Sequence, residues 1–300
     1  MNRRAFIKAS GALGVGAIAL KHRVAVQAAG DDSKGAPNAE KLGWRPGCQA
    51  WTYNYYTPAA GQGIQKLTFL EAIDKTHDLG LHFIEAYPDQ ILSPDQRDQK
   101  MGPRLSADAR KEIKQRLADK NLKLVNFGVG PANRQAFDFA KDMGIETLVS
   151  EPQFDEFDNL DKLVEEYQIN VALHDHPKPS KYWDPEIVLK HVKDHNKRIG
   201  ACCDTGHWMR SGINPVEALK KLEGRIISFH LKDLPEYGNK QAKDVPWGTG
   251  RGEIKEILTE VKRQGIKPVF SIEYEAAFTM AQLAQCVAYM DKVAAELAKD

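Results

Sequence analysis

The sequence predicts a single (β/α)8 barrel, and three observations lead to it. Eight short apolar runs recur along about 255 residues, the size and count of such a barrel. Each run is followed by a polar loop and an amphipathic stretch, most of which close on glycine. The first run leads into aromatic residues, Cys48-Gln49-Ala50-Trp51-Thr52-Tyr53, and not into the glycine-rich phosphate loop of a doubly wound open sheet, the competing architecture. Trp247-Gly248-Thr249-Gly250-Arg251-Gly252 lies late in the chain and spaces its glycines wrongly for a dinucleotide fingerprint.

The strands are expected near 46–53, 82–87, 122–128, 146–151, 169–174, 199–204, 226–231 and 268–274. Leu122 to Phe127 and Arg225 to Leu231 are short and apolar, as strands buried between helices must be. Helices end at Gly80, Gly144, Gly224 and Gly265, where glycine can take the left-handed conformation. They begin at Asp184-Pro185-Glu186 and Asn214-Pro215-Val216-Glu217, each an N-cap followed by a first-turn proline.

The ends of the chain read differently. Arg3, Arg4 and Lys8 precede a weakly apolar run from Ala9 to Leu20, and Val26-Gln27-Ala28 suits a signal peptidase. Residues 1–28 therefore resemble a twin-arginine export signal, which places the mature protein in the periplasm or outside the cell. The Gly/Asp/Ser/Asn-rich stretch 29–41 is expected to be a linker, and 42–300 the barrel domain. Five of the 42 basic residues fall within 1–28 with no acid among them, leaving 37 against 41 acidic side chains, a net charge of −4. That balance argues against a nucleic-acid partner, and the 12-residue run Ala9–Leu20 is too short to span a membrane, so no membrane association is expected of the mature form. The sequence is compatible with a homo-oligomer. Cys48, Cys202, Cys203 and Cys286 lack metal or redox spacing and read as small buried side chains.

A barrel enzyme builds its site at the carboxyl ends of its strands. Here those ends carry Glu151; His174-Asp175-His176; Asp204-Thr205-Gly206-His207; His230-Leu231-Lys232-Asp233; and Glu273-Tyr274-Glu275. Acids finishing apolar strands on one face call for a cation, because an unpaired buried carboxylate is costly. Glu151, Asp204, His230 and Glu273 would offer three carboxylates and one imidazole to one divalent ion: manganese, magnesium or cobalt, with zinc also able to bind. Trp51, Tyr53, Tyr55, Tyr56, Trp208 and Trp247 fall in strand-end loops, where flat rings can stack on sugar faces or simply pack.

The series from Cys203-Asp204-Thr205-Gly206-His207-Trp208 through Phe229-His230-Leu231-Lys232-Asp233 and Gly248-Thr249-Gly250-Arg251-Gly252 to Ser271-Ile272-Glu273-Tyr274-Glu275 resembles the xylose-isomerase-like TIM barrels called sugar phosphate isomerases/epimerases. Phe83-Ile84-Glu85 is similar to their second strand ending. The resemblance implies a divalent metal on Glu151, Asp204, His230 and Glu273, with Glu151 and Glu273 as catalytic carboxylates on opposite sides of a sugar. One would take a proton beside a carbonyl polarised by the metal and the other would return it, giving isomerisation or epimerisation. It further implies substrate contacts from His176, His207 and Lys232, and Glu85 could bind a sugar hydroxyl. Export favours a non-phosphorylated sugar or a glycoside. The same enolisation could instead expel a group β to the ketone, making the protein a lyase or hydrolase of 3-keto-glycosides. His174, His176, His207 and His230 also keep in view a phosphodiester hydrolase resembling endonuclease IV.

Overall fold

The computed structural model describes residues 34–299. The export signal expected at 1–28 lies outside them, as does 29–33 of the expected linker. The rest of that linker is folded, which corrects the expectation: Pro37–Lys41 is a short helix, α1. Asn38 donates from its backbone N and its Nδ2 to the Asp291 carboxylate at 2.6 and 2.8 Å, and Ala39 is buried. Composition alone flagged this stretch as loose, but one buried alanine and one carboxylate clamp fasten it.

The chain then alternates: β1 (Arg45–Gln49), a 3-10 turn (Ala50–Tyr55), α2 (Phe69–Asp78), β2 (Phe83–Ala86), a hairpin of β3 (Ile91–Ser93) and β4 (Gln96–Lys100), α3 (Ala107–Asp119), β5 (Lys123–Phe127), α4 (Arg134–Met143), β6 (Thr147–Ser150), α5 (Phe157–Tyr167) and β7 (Asn170–His174). It continues through α6 (Pro185–Val192), β8 (Ile199–Asp204), α7 (Thr205–Arg210), α8 (Pro215–Lys221), β9 (Ile226–Leu231), α9 (Ile254–Gln264), β10 (Val269–Ile272) and α10 (Met280–Leu297). Eight strands close into a barrel in the order β1-β10-β9-β8-β7-β6-β5-β2, and the β3–β4 hairpin stands apart from it. Every barrel pairing is parallel.

Local chemistry explains the boundaries. Asn133 caps α4 by accepting from the Ala136 N at 3.0 Å, and Gly144 ends the helix at φ 74°. The first strand stops four residues earlier than expected because the Gln49 side chain accepts from the Trp51 N at 3.0 Å and starts the 3-10 turn. Between sheet and helices the core is continuous; Phe229 and Phe270, on neighbouring strands, stack with centroids 4.8 Å apart. Gly128 follows β5 where a Cβ would stand 2.3 Å from the Val149 carbonyl oxygen, so no larger residue fits there. The four cysteines are free and buried. Among the described residues no helix is long and apolar enough to cross a membrane.

Candidate metal centre and cavity

Parallel closure brings the carboxyl ends of β7, β8, β9 and β10 to one rim. Asp204 pairs with His230 across β8 and β9, and His174 with Cys202 across β7 and β8. Four ligand atoms gather there, His174 Nε2, Asp204 Oδ2, His230 Nδ1 and Glu273 Oε2, all within 4.8 Å of one another. All four residues are buried; His174 Nε2 and His230 Nδ1 have no hydrogen-bond donor among the described residues, whereas Asp204 Oδ2 and Glu273 Oε2 lie 2.9 and 2.8 Å from the Lys232 Nζ. Leaving one buried polar atom unpaired costs about 1–3 kcal/mol, so two open imidazole nitrogens converging with two carboxylate oxygens on one point form an arrangement that a bound cation would satisfy.

Both imidazoles are oriented to offer lone pairs inward. The His174 Nδ1–H lies 3.3 Å from Glu151 Oε1, and the His230 Nε2–H donates to Glu85 Oε1 at 2.8 Å. With its outer nitrogen donating to a carboxylate, each ring in its neutral form keeps an unprotonated nitrogen facing the centre, which is how metal-binding histidines are held. Burial alone would lower the His174 pKa, but its contacts with Asp204 and Glu151 outweigh this and raise it to about 10. Burial pushes the Glu273 carboxyl up, yet Lys232 and His230 hold it well below the usual carboxylate range. Asp204 is likewise held low, burial being outweighed by His207, Lys232 and His174.

This buried cluster differs from the expected ligand set, and Glu151 falls instead in an adjoining group with His174 and His176. Asp204, His230 and Glu273 come together as expected, but the fourth member is His174, not Glu151. Ser150, the last residue of β6, pairs with Leu173, so Glu151 arrives level with His174 and beside it. Its Oε1 accepts from the Nδ1 atoms of both His174 and His176. Burial raises the Glu151 pKa, but these two imidazoles more than offset it and bring it to about 2.

Glu85 is also corrected. It is fully buried and is not among the residues lining the cavity over the cluster. Its oxygens accept from Gln49 Nε2 (3.0 Å), Asn126 Nδ2 (3.3 Å), Ser271 Oγ (2.7 Å) and His230 Nε2 (2.8 Å). Lys232 is buried too, its Nζ 2.9 Å from Asp204 Oδ2, 2.8 Å from Glu273 Oε2 and 2.9 Å from Glu275 Oε2. It compensates carboxylates from behind and does not line the cavity. Arg210 pairs with Glu275 at 2.7 Å and Asp244 at 3.1 Å. Lys232 and Arg210 thus face the carboxyl groups of Asp204, Glu273, Glu275 and Asp244, and burial pushes the Asp244 carboxyl up to about 7.

A cavity of about 340 Å³ opens over the cluster. His174, His176, His207 and Glu273 are among the residues that line it. Trp51, Tyr87 and Val129 line it as well, with Trp51 edge-on to Tyr87 at 5.0 Å. Of the aromatic candidates Trp51 alone lines this cavity, while Tyr53, Trp208 and Trp247 are core. Burial, helped by the positive charges of Lys232, His174 and Arg210, holds His207 well below the usual imidazole range, with Asp204 opposing. Asp233 makes no surface pair with Lys232. Its carboxylate accepts the backbone N–H groups of Gly248 (2.8 Å), Gly250 (3.0 Å) and Gly252 (2.8 Å) and shapes that loop.

Fold and rim together define a (β/α)8 barrel with a buried two-histidine, two-carboxylate cluster under an open cavity. The xylose isomerase-like TIM barrel family matches residues 73–292, and the chain belongs to that family. An inosose dehydratase from Clostridium botulinum is 39% identical over 83 residues, 27% of this chain; the match spans about 28% of that protein's length. A solved structure of an uncharacterized protein from Parabacteroides distasonis is 29% identical, covering 83% of this chain and 99% of that one, at a TM-score of 0.66. A xylose isomerase-like TIM barrel protein from Mycobacterium smegmatis in complex with magnesium is 15% identical, covering 86% of this chain and 98% of its own, at 0.65, a likeness of fold.

Proposed function

We propose that this barrel is a divalent-metal enzyme that removes the proton next to the carbonyl of a small, non-phosphorylated polyhydroxy ketone of the sugar or cyclitol class. The observation that carries this reading is the convergence of two imidazoles and two carboxylates, all buried, under a cavity of about 340 Å³. His174, Asp204, His230 and Glu273 would hold the ion. With His174 in place of Glu151 the donors are two nitrogens and two oxygens, which favours manganese, cobalt or zinc over magnesium. When bound, the ion supplies a Lewis acid that polarises the ketone and acidifies the neighbouring C–H.

The chain's own proton-transfer groups stand on the cavity wall. His176 donates its Nδ1–H to Glu151, which leaves Nε2 free to accept a proton, so the catalytic role expected of Glu151 passes to His176 with Glu151 behind it. Glu273, held ionised by Lys232, is the second such group. Trp51 offers an apolar face to the ring carbons.

Two outcomes share this first step. Return of the proton to another carbon or face gives a sugar isomerase or epimerase. Loss of a group β to the carbonyl gives a lyase acting on an inosose or a 3-keto-glycoside, a reading favoured by the segment shared with inosose dehydratase. An export signal at residues 1–28, as the sequence leads one to expect, would place that substrate in the periplasm or outside the cell. The test is incubation of manganese-loaded protein in D₂O with ketoses, inososes and 3-keto-glucosides, followed by proton NMR. Loss of the α-proton signal is expected. An interconverted sugar identifies an isomerase or epimerase, and an unsaturated ketone with released water or aglycone identifies a lyase. Turnover without α-proton exchange would sink the proposal.

A further inference from the structure

Arg210 is the last residue of α7, and three positions separate it from His207, so the two side chains share a helix face. It is buried and held at every nitrogen. One terminal nitrogen lies 3.0 Å from His207 Nδ1 and 2.7 Å from Glu275 Oε2; the other lies 3.1 Å from Asp244 Oδ2 and 3.3 Å from the Ala242 carbonyl oxygen, which Nε also reaches at 3.4 Å. His207 is anchored separately, its backbone N donating to Asp204 Oδ1 at 2.8 Å.

A guanidinium can only donate. The His207 Nδ1 beside it must therefore accept with its lone pair, and the proton of the neutral ring sits on Nε2. That nitrogen stands 3.5 Å from Asp204 Oδ2, beyond hydrogen-bond length for an aligned pair, on a ring that lines the cavity.

We infer that Arg210 is a positioning residue that locks His207 in the Nε2–H tautomer, making it a hydrogen-bond donor to an oxygen atom of the cavity's ligand and removing it from the role of proton acceptor. The tautomer follows from the Arg210 contacts alone; the identity of the oxygen as a substrate carbonyl or hydroxyl rests on the function proposed above. The division of labour is chemical. His176, whose Nδ1 donates to a carboxylate, offers a lone pair, whereas His207, whose Nδ1 accepts from a guanidinium, offers a proton. The two rings lie 5.2 Å apart, so one substrate can meet both.

The test is a long-range proton–nitrogen NMR correlation on full-length protein labelled with ¹⁵N-histidine, recorded with magnesium chloride and again with EDTA. The His207 signals are assigned by their loss in His207→Gln. In the native protein an unprotonated Nδ1 and a protonated Nε2 are expected under both conditions; a protonated Nδ1 overturns the inference. In Arg210→Met the pattern should shift toward a protonated Nδ1, and in Arg210→Lys, which keeps a donor-only head group, it should return toward the native one. A native pattern in a folded Arg210→Met would show that the lock lies elsewhere and would refute the assignment to Arg210. If the Met variant does not fold, Arg210→Met combined with Asp244→Asn, which removes the carboxylate left unpaired, takes its place with the same expected and refuting results. In α-proton exchange Arg210→Met should lower kcat on the order of 10-fold with KM little changed, less than the ~10²–10³ of deleting an oxyanion donor outright. Should no carbonyl compound exchange, the spectra still decide the tautomer, so the two readings can fail separately.

Discussion

The exchange of Glu151 for His174 in the ligand set is open to a direct comparison of two variants. His174→Ala deletes one of four direct donors. Four-ligand zinc sites bind with about 10–16 kcal/mol, so a single donor carries on the order of 3 kcal/mol, or roughly 10²-fold in affinity. Glu151→Gln removes only a carboxylate behind His174, 3.3 Å from its Nδ1. Losses of such supporting groups run about 10–100-fold, and the lower end applies here because the glutamine oxygen can still accept from Nδ1–H and the position is partly open to water, at 24% side-chain exposure. The variants should therefore differ by about tenfold, read by competition with a chromophoric chelator for zinc or manganese. If Glu151→Gln loses metal as completely as His174→Ala, or if His174→Ala keeps native affinity, the two-histidine assignment is wrong and Glu151 returns as a ligand.

Metal affinity should also fall in acid. In the metal-free protein the His174 pKa is raised to about 10, so a proton must leave before Nε2 can ligate, and each unit of acidification between about pH 6 and 9 should weaken apparent binding by about tenfold or more; isothermal titration showing a flat profile would contradict this. Lys232→Met removes the cation shared by Asp204, Glu273 and Glu275 and should destabilise the metal-free protein by about 3–5 kcal/mol. Added manganese should recover part of that loss in a thermal melt, and an unchanged melting temperature would count against the charge balance described. Asp233→Ala strips the acceptor from three backbone N–H groups, a loss of about 3 kcal/mol overall, and should speed hydrogen exchange at Gly248, Gly250 and Gly252 while the strands stay protected.

The barrel was legible because its signals are local and repeated. All eight strands fall where apolar runs announced them, and the caps at Asp184 and Asn214 start helices as their chemistry requires. The hairpin of β3 and β4 was not foreseen, since Gln96 to Lys100 is polar and largely exposed and carries no alternation. The site was legible as a set of strand ends but not in its fine assignment. Glu151 and His174 stand level at the ends of adjacent strands, and only the three-dimensional placement of their side chains decides which enters the centre. A preference for carboxylates selected the wrong neighbour, although His174-Asp175-His176, with alternate residues pointing the same way, carried a signal for an inward imidazole. Arg210 and Glu275 were passed over for a different reason. Their importance lies in contacts between α7 and the chain beyond β10, about 65 positions apart, which no local pattern reports.

The cluster around Glu85 ties one ligand to the closure of the whole barrel. Its partners come from β1, β5, β9 and β10, and it stands on β2 itself, so five of the eight staves meet at one carboxylate. Sealing the wall and aiming His230 are consequently a single event: a chain whose first and last strands have not yet met has no correctly turned imidazole to offer. If the proposed ion binds there, its capture would report on completed folding, because a misassembled copy would lack the turned His230 imidazole.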